Sequence, residues 1–110
     1  MPTPTDFFAI DMRVGTVTRA EAFPEARKPS LKLEIDFGPE LGTRRSSAQL
    51  TTHYTPEQLI GRQVVGVVNI GERRIAGFMS QVLILGAMPV ATEVVLLRPD
   101  HAVENGTRIG

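Results

Sequence analysis

The sequence predicts an all-β domain: a five-stranded barrel of the OB type, with a short helix between strands three and four and a C-terminal extension strand. Three observations carry that expectation. Leu31, Leu33, Ile35 and Phe37 alternate with Lys32, Glu34 and Asp36, the period-two pattern of a strand with one buried and one wet face. Two short runs rich in β-branched residues, Val64–Ile70 and Val82–Leu85, flank a basic, glycine-spaced connector. The clearest helix signal, Thr55-Pro56-Glu57-Gln58, falls between the third and fourth strands.

The chain begins with a proline-punctuated tail, Met1–Thr5, expected to fray. Asp6 is expected to cap one short turn holding Phe7, Phe8 and Ile10. Adjacent phenylalanines do not easily face the same way. Either one of them packs on a partner or covers a barrel end, or both serve the core. Met12–Ala22 reads as a long first strand, interrupted at Gly15, with a phase shift around Val14 and Val17 that predicts a bulge or sharp coil. Phe23–Ser30 is a loop because Pro24 and Pro29 both disfavour a ladder or a continuing helix.

Gly38-Pro39-Glu40-Leu41-Gly42 is turn chemistry, which makes a hairpin of Leu31–Phe37 and Thr43–Leu50. The second arm is polar for a strand. Arg44, Arg45, Ser46, Ser47 and Gln49 form either a row of donors on an apolar backing or simply a solvent-facing edge. After His53 and Tyr54, Thr55 suits the N-cap, Pro56 the first helical position and Gln58 the far side of a capping box. Gly61 ends the helix as a left-handed residue, leaving Leu59 and Ile60 as plugs. Val64–Ile70 is apolar on both sides of the pleat and is expected to be central or buried in an interface. Beyond Val82–Leu85 come a Gly86–Thr92 loop, a Glu93–Arg98 strand stopped by Pro99, and an Asn105-Gly106 turn.

Composition narrows the function. With 110 residues, 42% of them hydrophobic, residues 1–110 form one globular domain. Twelve basic residues balance twelve acidic ones. That argues against coating nucleic acid by bulk charge, so such binding needs a local patch. It also leaves little repulsion against self-association. The absence of cysteine excludes disulfides, thiol catalysis and Cys-ligated zinc. The start, MPTPTDFFAID, lacks the pattern of a signal peptide, and no apolar run reaches the ~20 residues of a membrane span. A cytoplasmic location without membrane insertion is therefore expected. His53 and His101 lie far apart with neither metal spacing nor a paired nucleophile, so no enzyme, metal site or cofactor is expected. Asp11 and Arg13 read as a structural tie on the first strand.

The connector is the candidate site. A tight hairpin needs two to five turn residues, and the stretch from Gly71 to Gln81 is longer. A long connection rich in basic and aromatic residues is expected to be a binding loop rather than a tether, a solvated loop being the plainer alternative. Phe78 and Met79 offer an adaptable apolar surface, or else form a buried rim of the barrel. Arg73, Arg74, Arg44 and Gln49 are suited to anchor peptide carbonyls or acidic groups.

Asp11-Met12-Arg13-Val14-Gly15-Thr16-Val17, Ala20-Glu21, Leu31–Gly38, Tyr54, Pro56-Glu57, Leu59, Gly61 and Val64–Asn69 together match a known pattern. From Asp6 onwards the sequence resembles the OB-fold tRNA-binding domain family, found free-standing and appended to aminoacyl-tRNA synthetases. Within it the closest likeness is to the CsaA-type export chaperones. Many tRNA-binding members read S-G-[I/L] in the third strand and G-x-x-S-x-G-M-x-L after the connector. This chain instead has Ser46-Ser47-Ala48-Gln49-Leu50 and Gly77-Phe78-Met79-Ser80-Gln81-Val82-Leu83-Ile84-Leu85. The altered positions belong to the expected tRNA face. The resemblance implies a homodimeric chaperone that binds unfolded or precursor polypeptides and cooperates with a SecA-type export motor. Its polypeptide site would comprise Phe78, Met79, Arg73, Arg74 and Gln49. The alternative is structure-specific tRNA binding. Arg44, Arg45 and Lys32 would then neutralise phosphates, while Ser46, Asn69 and Ser80 donate hydrogen bonds. One tyrosine and no tryptophan limit base stacking in that reading.

Overall fold

The computed structural model describes residues 1–110. Its elements are α1 (Pro4–Phe8), β1 (Met12–Ala22), β2 (Leu31–Asp36), α2 (Gly38–Leu41), β3 (Thr43–Ala48), α3 (Pro56–Leu59), β4 (Gln63–Val67), β5 (Arg73–Ile75), β6 (Phe78–Ser80), β7 (Leu83–Ile84), β8 (Gly86–Ala87) and β9 (Val95–Leu96). Five strands form one antiparallel sheet in the order β3-β2-β1-β4-β7. The sheet curls until its ends meet: the Gln81 amide donates to the Arg45 carbonyl at 2.8 Å and the Ser46 hydroxyl to the Val82 carbonyl at 2.9 Å. This is the expected barrel, nearly closed, with α3 between its third and fourth strands.

β1 is long because it serves two partners. Met12–Thr16 pairs with β4, and Thr16–Ala22 pairs with β2. The register with β2 slips between Val17 and Arg19, so the expected bulge lies at Thr18, beyond Gly15. Where β2 no longer covers β1, the C-terminal residues take over its edge. The Ile109 amide donates to Met12 and the Val14 amide to Thr107, both at 2.9 Å, and the Gly106 amide returns to Val14 at 2.7 Å.

Alternation on β2 does what the sequence predicts: Leu31, Leu33 and Ile35 are buried, with Lys32, Glu34 and Asp36 half-exposed. They meet Val17, Val64, Ile84 and Phe37 in the core. Each such side chain contributes about 1.5–3 kcal/mol by leaving water. Leu59 enters from α3 as a complete plug, whereas Ile60 faces solvent. Ile60 leaves the helix in an extended conformation and Gly61 turns the chain at φ +86°, which carries Ile60 off the barrel.

Several boundaries differ from expectation. The N-terminal tail is helical from Pro4, and Thr3 is its cap: the Asp6 amide donates to Thr3 Oγ1 and the Thr3 amide to Asp6 Oδ2. Asp6 is thus the third helical residue, the reciprocal half of a capping box. The Gly38–Gly42 turn closes as one helical turn, α2. β4 stops at Val67, leaving Ile70 exposed. The C-terminal strand shortens to β9, whose partner β8 comes from the stretch expected to be loop. α1 is tied down by Asn69, which donates to the Ala9 carbonyl at 2.8 Å and accepts from the Asp11 amide at 2.9 Å.

Candidate functional site

The connector is a hairpin. β5 and β6 pair as Arg73↔Ser80, Arg74↔Met79 and Ile75↔Phe78 around the two-residue turn Ala76-Gly77. Both turn residues have positive φ, 47° and 82°, the geometry whose twist matches that of the flanking strands. Ala-Gly lacks the Asn-Gly signature of that turn, which is why the sequence suggests a loop. Two links hold the hairpin on β3. The Ser47 amide donates to Ser80 Oγ at 3.1 Å, and Gln81 Oε1 accepts from the Arg45 amide at 2.9 Å.

On one side of this hairpin lies a groove of about 680 Å³. Its walls come from the Phe23–Ser30 loop, the end of β3, the hairpin, and the β7–β9 region. Leu50, Ile75, Ile84, Met88 and Val94 make the lining mostly apolar, while Gln49, Arg73, Arg27 and Lys28 supply its polar groups. Tyr54 and His53 brace one wall. The Leu96 amide donates to the Tyr54 hydroxyl at 3.0 Å, Thr52 Oγ1 donates to the Thr92 carbonyl at 3.2 Å, and the His53 ring pairs with Glu93.

On the other side is a smaller cleft of about 230 Å³ on the outer face of β1–β3. Arg19, Glu34 and Arg45 stand opposite one another on three successive strands, with Glu21 opposite Lys32 in the next row. Phe78 is half-buried at this cleft and meets the buried Phe23 edge-on, with ring centroids 5.5 Å apart. Lys32 Nζ lies 5.1 Å from the Phe23 ring and 5.7 Å from that of Phe78, and the Arg45 guanidinium 5.4 Å from Phe78. Cations in this position are attracted by the ring quadrupole.

The structure therefore divides the expected residues. Of the polypeptide set, Gln49 and Arg73 line the groove; Phe78 borders the cleft, and Arg74 and Met79 line neither. Of the RNA set, Lys32 and Arg45 are brought together. Ser46 is buried and donates to Val82, while Ser80 is buried and accepts from Ser47, so both side chains are engaged within the barrel. Asn69 is engaged with α1, and Arg44 is half-buried with its Nε donating to the Leu41 carbonyl at 3.1 Å. Sequence reasoning missed Ile75, Met88 and Leu50 as groove residues. Nothing local distinguishes them from ordinary core positions, since the groove forms only where four distant segments converge.

Asp11 and Arg13 are a structural tie, as expected. Arg13 Nε donates to Asp11 Oδ1 at 2.6 Å, and its Nη1 donates to the Gly106 carbonyl at 3.0 Å, joining β1 to the C-terminal residues. The hydrogen bond from Arg13 holds the Asp11 carboxyl below its ordinary value against the opposing effect of desolvation, and Arg13 is raised in return. No helix is long and apolar enough to cross a membrane.

Comparison with known proteins agrees with this fold. Residues 12–108 match the family model described as a putative tRNA binding domain. The methionine–tRNA ligase of Methanococcoides burtonii is 38% identical over 104 residues, which are 94% of this chain and 15% of that protein. The chain thus spans only a small part of the curated relatives it matches. The crystal structure of chaperone CsaA from Bacillus anthracis superposes with a TM-score of 0.95 at 55% identity, covering 100% of this chain and 99% of that one. The CsaA chaperone protein of Picrophilus torridus superposes with a TM-score of 0.92 at 44% identity, with 100% of both chains covered. Fold, matched residues and similarity over nearly the full length lead to one conclusion: this chain belongs to the putative tRNA binding domain family.

Proposed function

We propose that the protein is a homodimeric, non-catalytic chaperone that holds unfolded or precursor polypeptides in the cytoplasm for an export motor of the SecA type. The observation that carries this reading is the groove: about 680 Å³, open to solvent, mostly apolar, with Gln49 and Arg73 among its walls. Such a site accepts varied extended segments, because apolar contact is non-directional and a few polar groups suffice to orient the chain. Met88 adds an unbranched side chain that adapts to different occupants. The likeness to two CsaA chaperones supports the same reading. Support for the dimer comes from Phe7, Phe8 and Ile10, three large apolar side chains left exposed at one end of the chain. A standard interface covering them would bury on the order of 800 Å² per partner.

Suppression of client aggregation tests the site. Met88→Asp, at an exposed groove position, is expected to abolish suppression while leaving the fold intact. A Met88→Asp protein that suppresses aggregation as well as wild type excludes the groove. Sedimentation at micromolar concentration tests the dimer, and a single species of 12.0 kDa refutes it.

One observation favours a second reading, structure-specific tRNA binding. Lys32 and Arg45 flank Phe78 on the strand face and beside the loops that OB folds use for nucleic acid. RNA held there weakens steeply with salt, whereas a peptide in an apolar groove does not. A salt-dependent gel shift separates the two.

A further inference from the structure

The groove carries a charge pattern that selects among clients. Three of its lining residues are cations, Arg27 and Lys28 from the Phe23–Ser30 loop and Arg73 from the hairpin, and no carboxylate lines it. None of the three takes part in an ion pair. The acidic residues closest to them in sequence, Glu25 and Glu72, form no ion pair with any of the three. Glu72 accepts from the Gln81 side chain at 3.2 Å, and neither Glu72 nor Glu25 lines the groove. The cleft beside Phe78 is the opposite case. There Arg19 pairs with Glu34 at 3.6 Å and Lys32 with Glu21 at 3.5 Å, so most of its positive charge is already matched within the sheet. The groove thus sets three cations without ion-pair partners beside an apolar lining.

Resting on the chaperone reading, we infer that the groove selects extended polypeptide segments in which a short apolar run is flanked by carboxylate side chains, and discriminates against segments flanked by lysine or arginine. The apolar lining takes the run, and Arg27, Lys28 and Arg73 at its polar positions meet the flanks. RNA suits the groove less well, since its lining is mostly apolar and contains no aromatic ring on which a base stacks. The preference is moderate. An exposed ion pair changes binding by a factor of about 1.5 to 5, so three together produce about a tenfold preference at low salt. The client class implied is the acidic-flanked stretch of an unfolded chain, not a basic segment.

The test uses three ten-residue peptides that share one Leu-Val-Leu-Val core and carry flanks of aspartate, serine or lysine. Affinities for the full-length protein are measured by calorimetry at low and high salt. The expected order is aspartate, then serine, then lysine, with about tenfold between the extremes at low salt and near-convergence at about 0.5 M. The triple variant Arg27→Gln, Lys28→Gln, Arg73→Gln is expected to bring the aspartate-to-lysine ratio near one. Arg98→Gln, an exposed arginine outside the groove, keeps the ratio. Equal binding of all three peptides, or tighter binding of the lysine peptide, overturns the charge selection and leaves the chaperone reading standing. Failure of all three to bind overturns the chaperone reading itself. A tRNA that displaces the aspartate peptide from wild type but has no affinity for the triple variant assigns the cations to RNA, and also overturns the inference.

Discussion

Ile75 and Phe78 are direct cross-strand partners beside the Ala76-Gly77 turn, yet Ile75 lines the apolar groove and Phe78 the charged cleft. One short hairpin thus forms a wall of each surface. The two residues give the sharpest separation of function. Phe78→Ser is expected to leave aggregation suppression unchanged while weakening any tRNA binding. Because the ring is half-buried, the stability cost should be about 1–2 kcal/mol, below the ~3–5 kcal/mol of a fully buried aromatic. Ile75→Ser should do the reverse, impairing suppression and sparing RNA. If both variants impair suppression equally, the hairpin acts as a unit and the division is wrong.

Arg73 and Arg74 make no ion pair, and both are exposed on β5. Each change to Ala is expected to move stability by less than about 0.5 kcal/mol, as at ordinary surface positions. Their effects on client capture should differ, since Arg73 lines the groove and Arg74 does not. Denaturant midpoints and capture assays on the two single variants check this, and equal losses of capture would count against the groove.

Gly15 is where the barrel has no room. A Cβ there would lie 2.6 Å from Ile35 Cγ2 and 2.8 Å from Phe37 Cδ1. Both contacts are to fully buried side chains that cannot swing away. Gly15→Ala is expected to cost about 1–3 kcal/mol, the usual range for overpacking. A midpoint within error of wild type would mean that Phe37 repacks freely.

The Asp11–Arg13 tie has a defined pH signature. Since the folded carboxyl is held below its ordinary value, its contribution is fully present above the unfolded value of about 3.9 and is lost as the pH falls through the folded one. Wild type and Asp11→Asn should therefore differ by about 1 kcal/mol near neutrality and converge in strong acid. Unfolding curves across the acid range measure this. A gap that persists unchanged into strong acid would show that packing, not charge, makes the difference.

How much of this was legible in the chain follows from the range of each signal. Alternation along Leu31–Phe37, the proline-led helix start at Thr55–Gln58, and the apolar run that became β4 are local patterns. Periodicity and capping depend only on neighbours in sequence, so the barrel and its helix could be read directly. Even the Asp11–Arg13 tie is two residues long. The sites are different in kind. Ser46 and Ser80 look like surface donors in sequence, but β3 curls against the segment from Ser80 to Val82 and uses both hydroxyls internally. Phe78 looks like a groove wall, but the turn at Ala76-Gly77 folds it back against Phe23, more than fifty positions away. The groove itself exists only where Arg27, Gln49, Arg73 and Met88 converge, and convergence of distant segments leaves no local pattern. The sequence by itself determined the five barrel strands, their order along the chain and the family, but not the β5–β6 hairpin or β8. Which side chains share a surface was decided by closure of the barrel, because closure brings together residues that no local period relates.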